Sequence, residues 1–189
     1  MVIGAGAGIG GNVAKRFAKE GFHSVLCRRS NQHGLDDLVR DIEKEGGTAS
    51  GFLINAVEPD SIEQCVEQVE NKIGHIDTLV FNLGAQVGNK SLSETTYKIF
   101  ELGWRLATFS LFRTASSVLP KMEKRGKGSF LVTTSTAAFR GNAGQHSHAS
   151  AMGGRRMLCQ SLNAEFASKG IHIVHILSLI HISEPTRPY

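Results

Sequence analysis

The stretch that decides the fold is "MVIGAGAGIGGNVAKRFAKEG", residues 1–21. Its apolar lead, Met1 to Ile3, reads as a strand that runs straight into a glycine-rich turn. Ile9, Val13 and Phe17 then recur at helical spacing, which starts a helix near Ile9 and ends it at Gly21. A strand that passes through glycines directly into a helix is the setting in which such a pattern predicts a phosphate site. Gly4, Gly8 and Gly10 then provide a tight turn, close approach of a ligand to backbone, and close packing of helix on strand. Pyrophosphate would sit against the positive end of the helix. A glycine turn with a purely structural purpose is the competing reading.

Outward from this turn, strand-like and helix-like segments alternate. "FHSVLC" (22–27) reads as a buried strand, and "SGFLIN" (50–55), "IDTLVF" (76–81), "SFLVTTS" (129–135) and "IHIVHI" (171–176) read as the strands that follow. Between them, "LDDLVRDIEKEGG" buries Leu35, Leu38, Val39 and Ile42, and "PDSIEQCVEQVENKIG" buries Ile62, Val66, Val69 and Ile73. A long helix over 94–119, capped by Ser93, and another over 147–169 complete the series. Strands separated by helices imply right-handed crossovers. The fold class is therefore α/β: a Rossmann-type, doubly wound parallel sheet with helices on both faces.

Composition fits this and narrows the function. The 189 residues are 41% hydrophobic and 20% charged, and 21 basic against 17 acidic side chains leave a net charge of +4. The cluster Lys121, Lys124, Arg125 and Lys127 has no aromatic residue interleaved, which argues for a solvated loop and against nucleic-acid binding. Cys27, Cys65 and Cys159 form no CxxC pair, so neither a disulfide framework nor a zinc site is expected, and a reducing, cytoplasmic setting is. His146 and His148 form an H-x-H with no third ligand at a recognisable spacing, so no metal is expected. The longest apolar run, around 171–182, is too short and too rich in His to span a membrane.

Residues 1–176 resemble the short-chain dehydrogenase/reductase family. The family fingerprint Thr-Gly-x-x-x-Gly-x-Gly matches Gly4, Gly8 and Gly10, with Ile3 in the Thr position and Ile9 inside the motif. "VFNLGA" resembles the family's Asn-Asn-Ala-Gly element and keeps Asn82 and Gly84. "FLINAVEPDSIE" resembles the segment whose acidic residue holds the adenine, with Asn55 in its place. "GSFLVTTSTAAFRGNAGQ" resembles the strand that carries the catalytic serine, here Ser135. The resemblance implies a nicotinamide dinucleotide and a small carbonyl or alcohol substrate. Arg28 and Arg29 stand at the end of strand two with no acid until Asp36, which favours NADP over NAD, since a guanidinium fits the 2′-phosphate.

The catalytic end departs from the family. There a Tyr exchanges the proton, a Lys four residues later lowers its pKa and holds the ribose, and an Asn on the long helix supports a water relay. The family's 13-residue interval from Ser135 lands on His148, and four more residues land on Met152. The supporting Asn would fall near Gly103, and no Asn occurs between residues 90 and 141. Methionine supplies neither the charge nor the donors of Lys. His148 can still exchange protons near neutrality. Two readings stay open: an oxidoreductase with a divergent acid, and a dinucleotide-binding pseudoenzyme.

After strand six the family continues with a Pro-Gly loop, a substrate lid and a seventh strand. Here "LSLIHISEPTRPY" (177–189) resembles a translated sequencing adapter instead, so the domain is expected to span 1–176 and the tail to be non-native. The short leading strand and this tail together point to a fragment, truncated after the sixth strand. Such a chain is expected to fold poorly alone. The family commonly forms homodimers or homotetramers through its two long helices, here 94–119 and 147–169.

Overall fold

The computed structural model describes residues 1–84 and 87–178. In chain order it contains β1 (Val2–Ile3), α1 (Ile9–Lys19), β2 (His23–Arg28), α2 (Gln32–Lys44), β3 (Thr48–Leu53) and α3 (Ser61–Lys72). There follow β4 (Thr78–Phe81), α4 (Tyr97–Trp104), α5 (Ser110–Arg125), β5 (Gly128–Thr134), α6 (His146–Phe166) and β6 (Ile171–Leu177). The strands form one sheet in the order β3-β2-β1-β4-β5-β6, and every pairing is parallel.

Alternation along the strands divides the core between two faces. Ile3, Cys27, Phe81 and Val132 meet Ile62 and Val66 of α3, Leu111 and Leu119 of α5, and Cys159 of α6. Val2, Leu26 and Val80 meet Ala14 and Ala18 of α1 and Leu35 and Ile42 of α2 on the other face. Burial on both sides is why β1, β2 and β4 read as apolar runs, whereas the edge strands β3 and β6 are partly exposed. The sheet is thus doubly wound, and the winding reverses between β1 and β4. In open α/β sheets that reversal opens a crevice at the carboxyl ends of the strands.

Some boundaries differ from the sequence pattern. The inward face of α1 is Gly10, Gly11, Ala14 and Ala18, with Val13 and Phe17 at its margin, because small residues let the helix lie close to the sheet. Ile73 lies at the C-cap of α3, past its last turn, and is exposed rather than inward. The helix predicted over 94–119 opens at Tyr97, where Thr96 accepts the Ile99 N–H at 3.2 Å. Ser93 caps nothing, since Glu94 folds back to accept from the Ser91 N–H at 2.9 Å and holds that segment as a turn. Between α4 and α5 the residues Arg105–Phe109 form one π-helical turn. Beyond it α5 runs on past Pro120 to Arg125.

Side-chain ties join the helices outside the core. Arg113 of α5 donates from Nε to Glu63 Oε1 at 2.8 Å and from a terminal nitrogen to Oε2 at 2.5 Å. That guanidinium holds the Glu63 carboxyl below its usual pKa. The three cysteines are buried free thiols, although Cys27 and Cys65, distant in sequence, bring their sulfurs to 3.8 Å. Among the described residues no helix is long and apolar enough to cross a membrane. Of the tail, Leu177 continues β6 and the Ser178 N–H donates to the Thr134 carbonyl at 2.9 Å, while residues 179–189 lie outside the described residues.

Candidate active site and dinucleotide turn

The glycine turn is shaped by contacts that only glycine allows. Gly4 has φ 95°, and its N–H and that of Ala5 both donate to the Cys27 carbonyl, at 2.8 and 2.9 Å. A Cβ on Gly4 would lie 2.7 Å from the Asn82 carbonyl oxygen, and one on Gly10 would lie 2.1 Å from that of Gly4. These two positions are fixed by backbone packing. Gly8 differs: an added Cβ would meet no atom within 4 Å, so it borders open space in front of α1. Ile9, half-buried, opens the helix there.

Asn82 fastens this turn to β5. Its amide donates to the Gly4 carbonyl at 3.1 Å and its oxygen accepts from Thr133 Oγ1 at 2.7 Å. Gly84 follows at a position where a Cβ would meet nothing within 4 Å. Ala85, the last residue of that element, lies outside the described residues.

Arg28 ends β2 half-buried, and Arg29 follows it exposed. Neither forms an ion pair among the described residues. The Arg28 carbonyl accepts from the Ile54 N–H at 2.9 Å, which sets the β3–α3 loop beside the end of β2. In that loop Asn55 donates from Nδ2 to Glu58 at 3.2 Å and accepts from the Val57 N–H at 3.4 Å, so its side chain shapes its own turn.

At the end of β5, Ser135 Oγ lies 3.2 Å from His148 Nε2, in the first turn of α6. The two residues paired by counting are therefore in contact. Met152, one turn further, is 2% exposed within a cluster of Ala107, Ala137, Ala138 and Ala151. Its sulfur accepts from Thr134 Oγ1 at 3.7 Å. The helix residue that faces this cluster is Ala107, not Gly103. Gly103 lies a turn earlier, where a Cβ would come within 2.1 Å of Ser147 Oγ. The π-turn Arg105–Phe109 lies between Gly103 and α5 and brings Ala107 into contact with this cluster.

One site residue escaped the sequence reading. Arg155 of α6 is 1% exposed, and its guanidinium donates to the carbonyls of Ala107 at 3.1 Å, Thr133 at 2.8 Å and Leu83 at 2.7 Å. It also lies 5.1 Å from the centre of the Phe81 ring. Burial lowers its pKa to about 10, which leaves it charged at neutral pH. Four residues on, burial raises the Cys159 thiol to about 11. The available signal was spacing: His148, Met152, Arg155 and Cys159 share one helical stripe, and an arginine inside it cannot face water.

The arrangement is a hydroxyl and an imidazole in contact at the carboxyl end of β5, with a buried guanidinium two turns further along α6. It can exchange a proton with a bound oxygen. No group of three metal-ligating side chains occurs among the described residues. A cavity of about 290 Å³ lies elsewhere, at the amino ends of the strands between Phe17, Val25, Val69 and Ile76. It takes no part in this constellation.

Comparison with known proteins agrees with the geometry. The family model for short chain dehydrogenase matches residues 1–180. A short-chain dehydrogenase from Rhodopseudomonas palustris is 31% identical with a TM-score of 0.90, covering 100% of this chain and 97% of that one. A 7α-hydroxysteroid dehydrogenase solved with NADH and 7-oxo glycochenodeoxycholic acid is 29% identical with a TM-score of 0.87, covering 93% of this chain and 68% of that one. A gluconate 5-dehydrogenase from Burkholderia cenocepacia, solved with NADP and tartrate, is 25% identical with a TM-score of 0.85, covering 93% and 68%. With that family model running from residue 1 to residue 180, this chain belongs to the short-chain dehydrogenase family.

Proposed function

We propose that this protein is an NADP-linked oxidoreductase acting on a carbonyl/alcohol pair, with His148 as proton carrier and Ser135 as the hydroxyl that orients the substrate oxygen. The observation that carries the reading is the 3.2 Å contact between Ser135 Oγ and His148 Nε2. That contact supports the reading because a hydroxyl donor and an imidazole within reach of each other can act on the same substrate oxygen. Bound NADP would supply or accept the hydride. The open space at Gly8 fits a pyrophosphate against the first turn of α1, and Arg28 and Arg29 offer guanidinium donors for a 2′-phosphate. Gly4, Gly10 and Asn82 hold the turn; Gly84 leaves room beside it, and Asn55 borders the adenine side.

In the reducing direction, Ser135 donates a hydrogen bond to the carbonyl oxygen while imidazolium His148 delivers the proton as the alcohol forms. In the oxidising direction, neutral His148 takes that proton. Met152 contributes no charge to either step.

A second reading follows from that same Met152. The position the family fills with an ammonium is packed with methyl groups here, which suits a dinucleotide-binding pseudoenzyme with a structural or regulatory role. The exposed Tyr97, Phe100, Trp104 and Phe112 of α4 and α5 support homodimer or homotetramer assembly, and the buried free thiols suit a reducing, cytoplasmic setting.

The test is a carbonyl panel with NADPH and, separately, NADH, followed at 340 nm. Turnover with NADPH that His148→Ala abolishes, and an Arg28→Glu variant with NADPH affinity reduced at least about 10-fold, would support the oxidoreductase. Tight NADPH binding with no turnover would select the pseudoenzyme. Failure to bind either dinucleotide would overturn both.

A further inference from the structure

We propose that Arg155 is a positioning residue that supplies, from beneath, the fixed positive charge for the Ser135–His148 site that Met152 cannot. The inference rests on the reading of that pair as the reactive couple. Arg155 lies seven residues from His148 on one helical face, roughly 10 Å along the axis. Its three acceptors come from three different segments that converge on the site. Leu83 follows β4, Ala107 belongs to the π-turn, and Thr133 lies two residues before Ser135. Each contact is a neutral carbonyl, so the hydrogen bonds soften the field without cancelling the net charge. No carboxylate acts on it among the described residues.

The groups that face Arg155 are few. From α6 comes the Cys159 thiol and from β6 the His175 ring; β4, β5 and the π-turn present the three carbonyls and the Phe81 ring. Arg156 stacks 4.4 Å over Phe139 on the outer side, and Ser135 is the neighbour of His148 at the end of β5. The reach of the field shows at His175, whose pKa burial lowers first and the charges of Arg155 and Arg156 lower further. A cation so placed disfavours imidazolium at His148 and favours negative charge on an oxygen bound in front of Ser135. The ammonium position has gone, and a guanidinium two turns from the imidazole carries its charge.

A structural pin would lose its hydrogen bonds in any substitution; a charge would be lost only when charge is removed. The experiment is therefore an NMR titration of the His148 ring in the full chain, as wild type, Arg155→Met, Arg155→Lys and Cys159→Asp. The last of these variants would leave Arg155 and its bonds in place while setting a carboxylate four residues away on the same face. A unit charge at roughly 10 Å in an effective dielectric of about 20 predicts a His148 pKa raised by about one unit in Arg155→Met. Arg155→Lys should stay within about 0.3 unit of wild type, and Cys159→Asp should move upward as Arg155→Met does. If Arg155→Met does not fold, the Cys159→Asp titration decides. No upward shift in a charge-removing or charge-pairing variant, or an equal shift in Arg155→Lys, would overturn the proposal. Absence of turnover in the carbonyl panel would sink the reaction assigned above and leave this titration standing.

Discussion

Replacing Met152 with lysine would set an ammonium one turn beyond His148 on α6, and the surroundings oppose it. Met152 is 2% exposed among alanine methyl groups, and Arg155 stands three residues further along the same helix face. Side chains at that spacing sit about 6 Å apart. Two like charges at that distance in an effective dielectric of about 20 repel by about 3 kcal/mol. Desolvation of the ammonium brings the total to about 4 kcal/mol, about three pKa units, so the lysine should titrate near 7 rather than about 10.4. The sign follows from linkage. A lysine with a depressed folded pKa destabilises fully below that pKa, and the cost fades by about 1.4 kcal/mol per unit as pH rises toward the unfolded value. Urea denaturation of Met152→Lys should therefore give a stability about 4 kcal/mol below that of Met152→Leu at pH 6 and about 2 kcal/mol below it at pH 9. A gap that ignores pH, or one under about 1 kcal/mol at pH 6, would refute the claim that Arg155 charges this pocket.

Two further substitutions probe the scaffold. Gly10→Ala should lower stability by about 3 kcal/mol and abolish dinucleotide binding, because its Cβ would fall 2.1 Å from the Gly4 carbonyl oxygen; a thermal melt and a binding isotherm read both effects. Glu63→Gln should cost about 1 kcal/mol at pH 7, since it removes the charge from the partly exposed fork that Arg113 grips. The Glu63 pKa is depressed in the fold, so its contribution is present above the ordinary 4.5 and vanishes as pH falls through the folded value. Urea midpoints of the two proteins should converge in acid; a constant difference would contradict the ion-pair account.

The sheet was legible because its signals are local and repeated. Apolar runs, helical periodicity and stop glycines lie within ten or so residues of one another, and each crossover repeats the last. The glycine turn was legible for the same reason, and the 13-residue interval from Ser135 picks out His148, whose ring lies 3.2 Å from the serine hydroxyl. The π-turn Arg105–Phe109, which sets Ala107 against α6, was not legible because nothing in the sequence marks it. Ser93 lost its capping place to Thr96 because the Ser91–Glu94 turn competes for the same backbone. Arg155 went unread for a different reason. An arginine is ordinarily exposed, and only the convergence of three carbonyls from distant segments makes its burial tolerable.

The long final helix acquires a mechanical character from its pinned arginine. α6 runs from His146 to Phe166, about 30 Å at the usual rise, and the grip on Arg155 near its middle makes that point a fulcrum. A tilt of only about 3° about it would swing the imidazole end by about 0.5 Å, as much as a proton-transfer geometry tolerates. Strain applied where Phe166 and Ile171 seat the far arm would thus be transmitted to the Ser135–His148 contact as faithfully as a change made beside it.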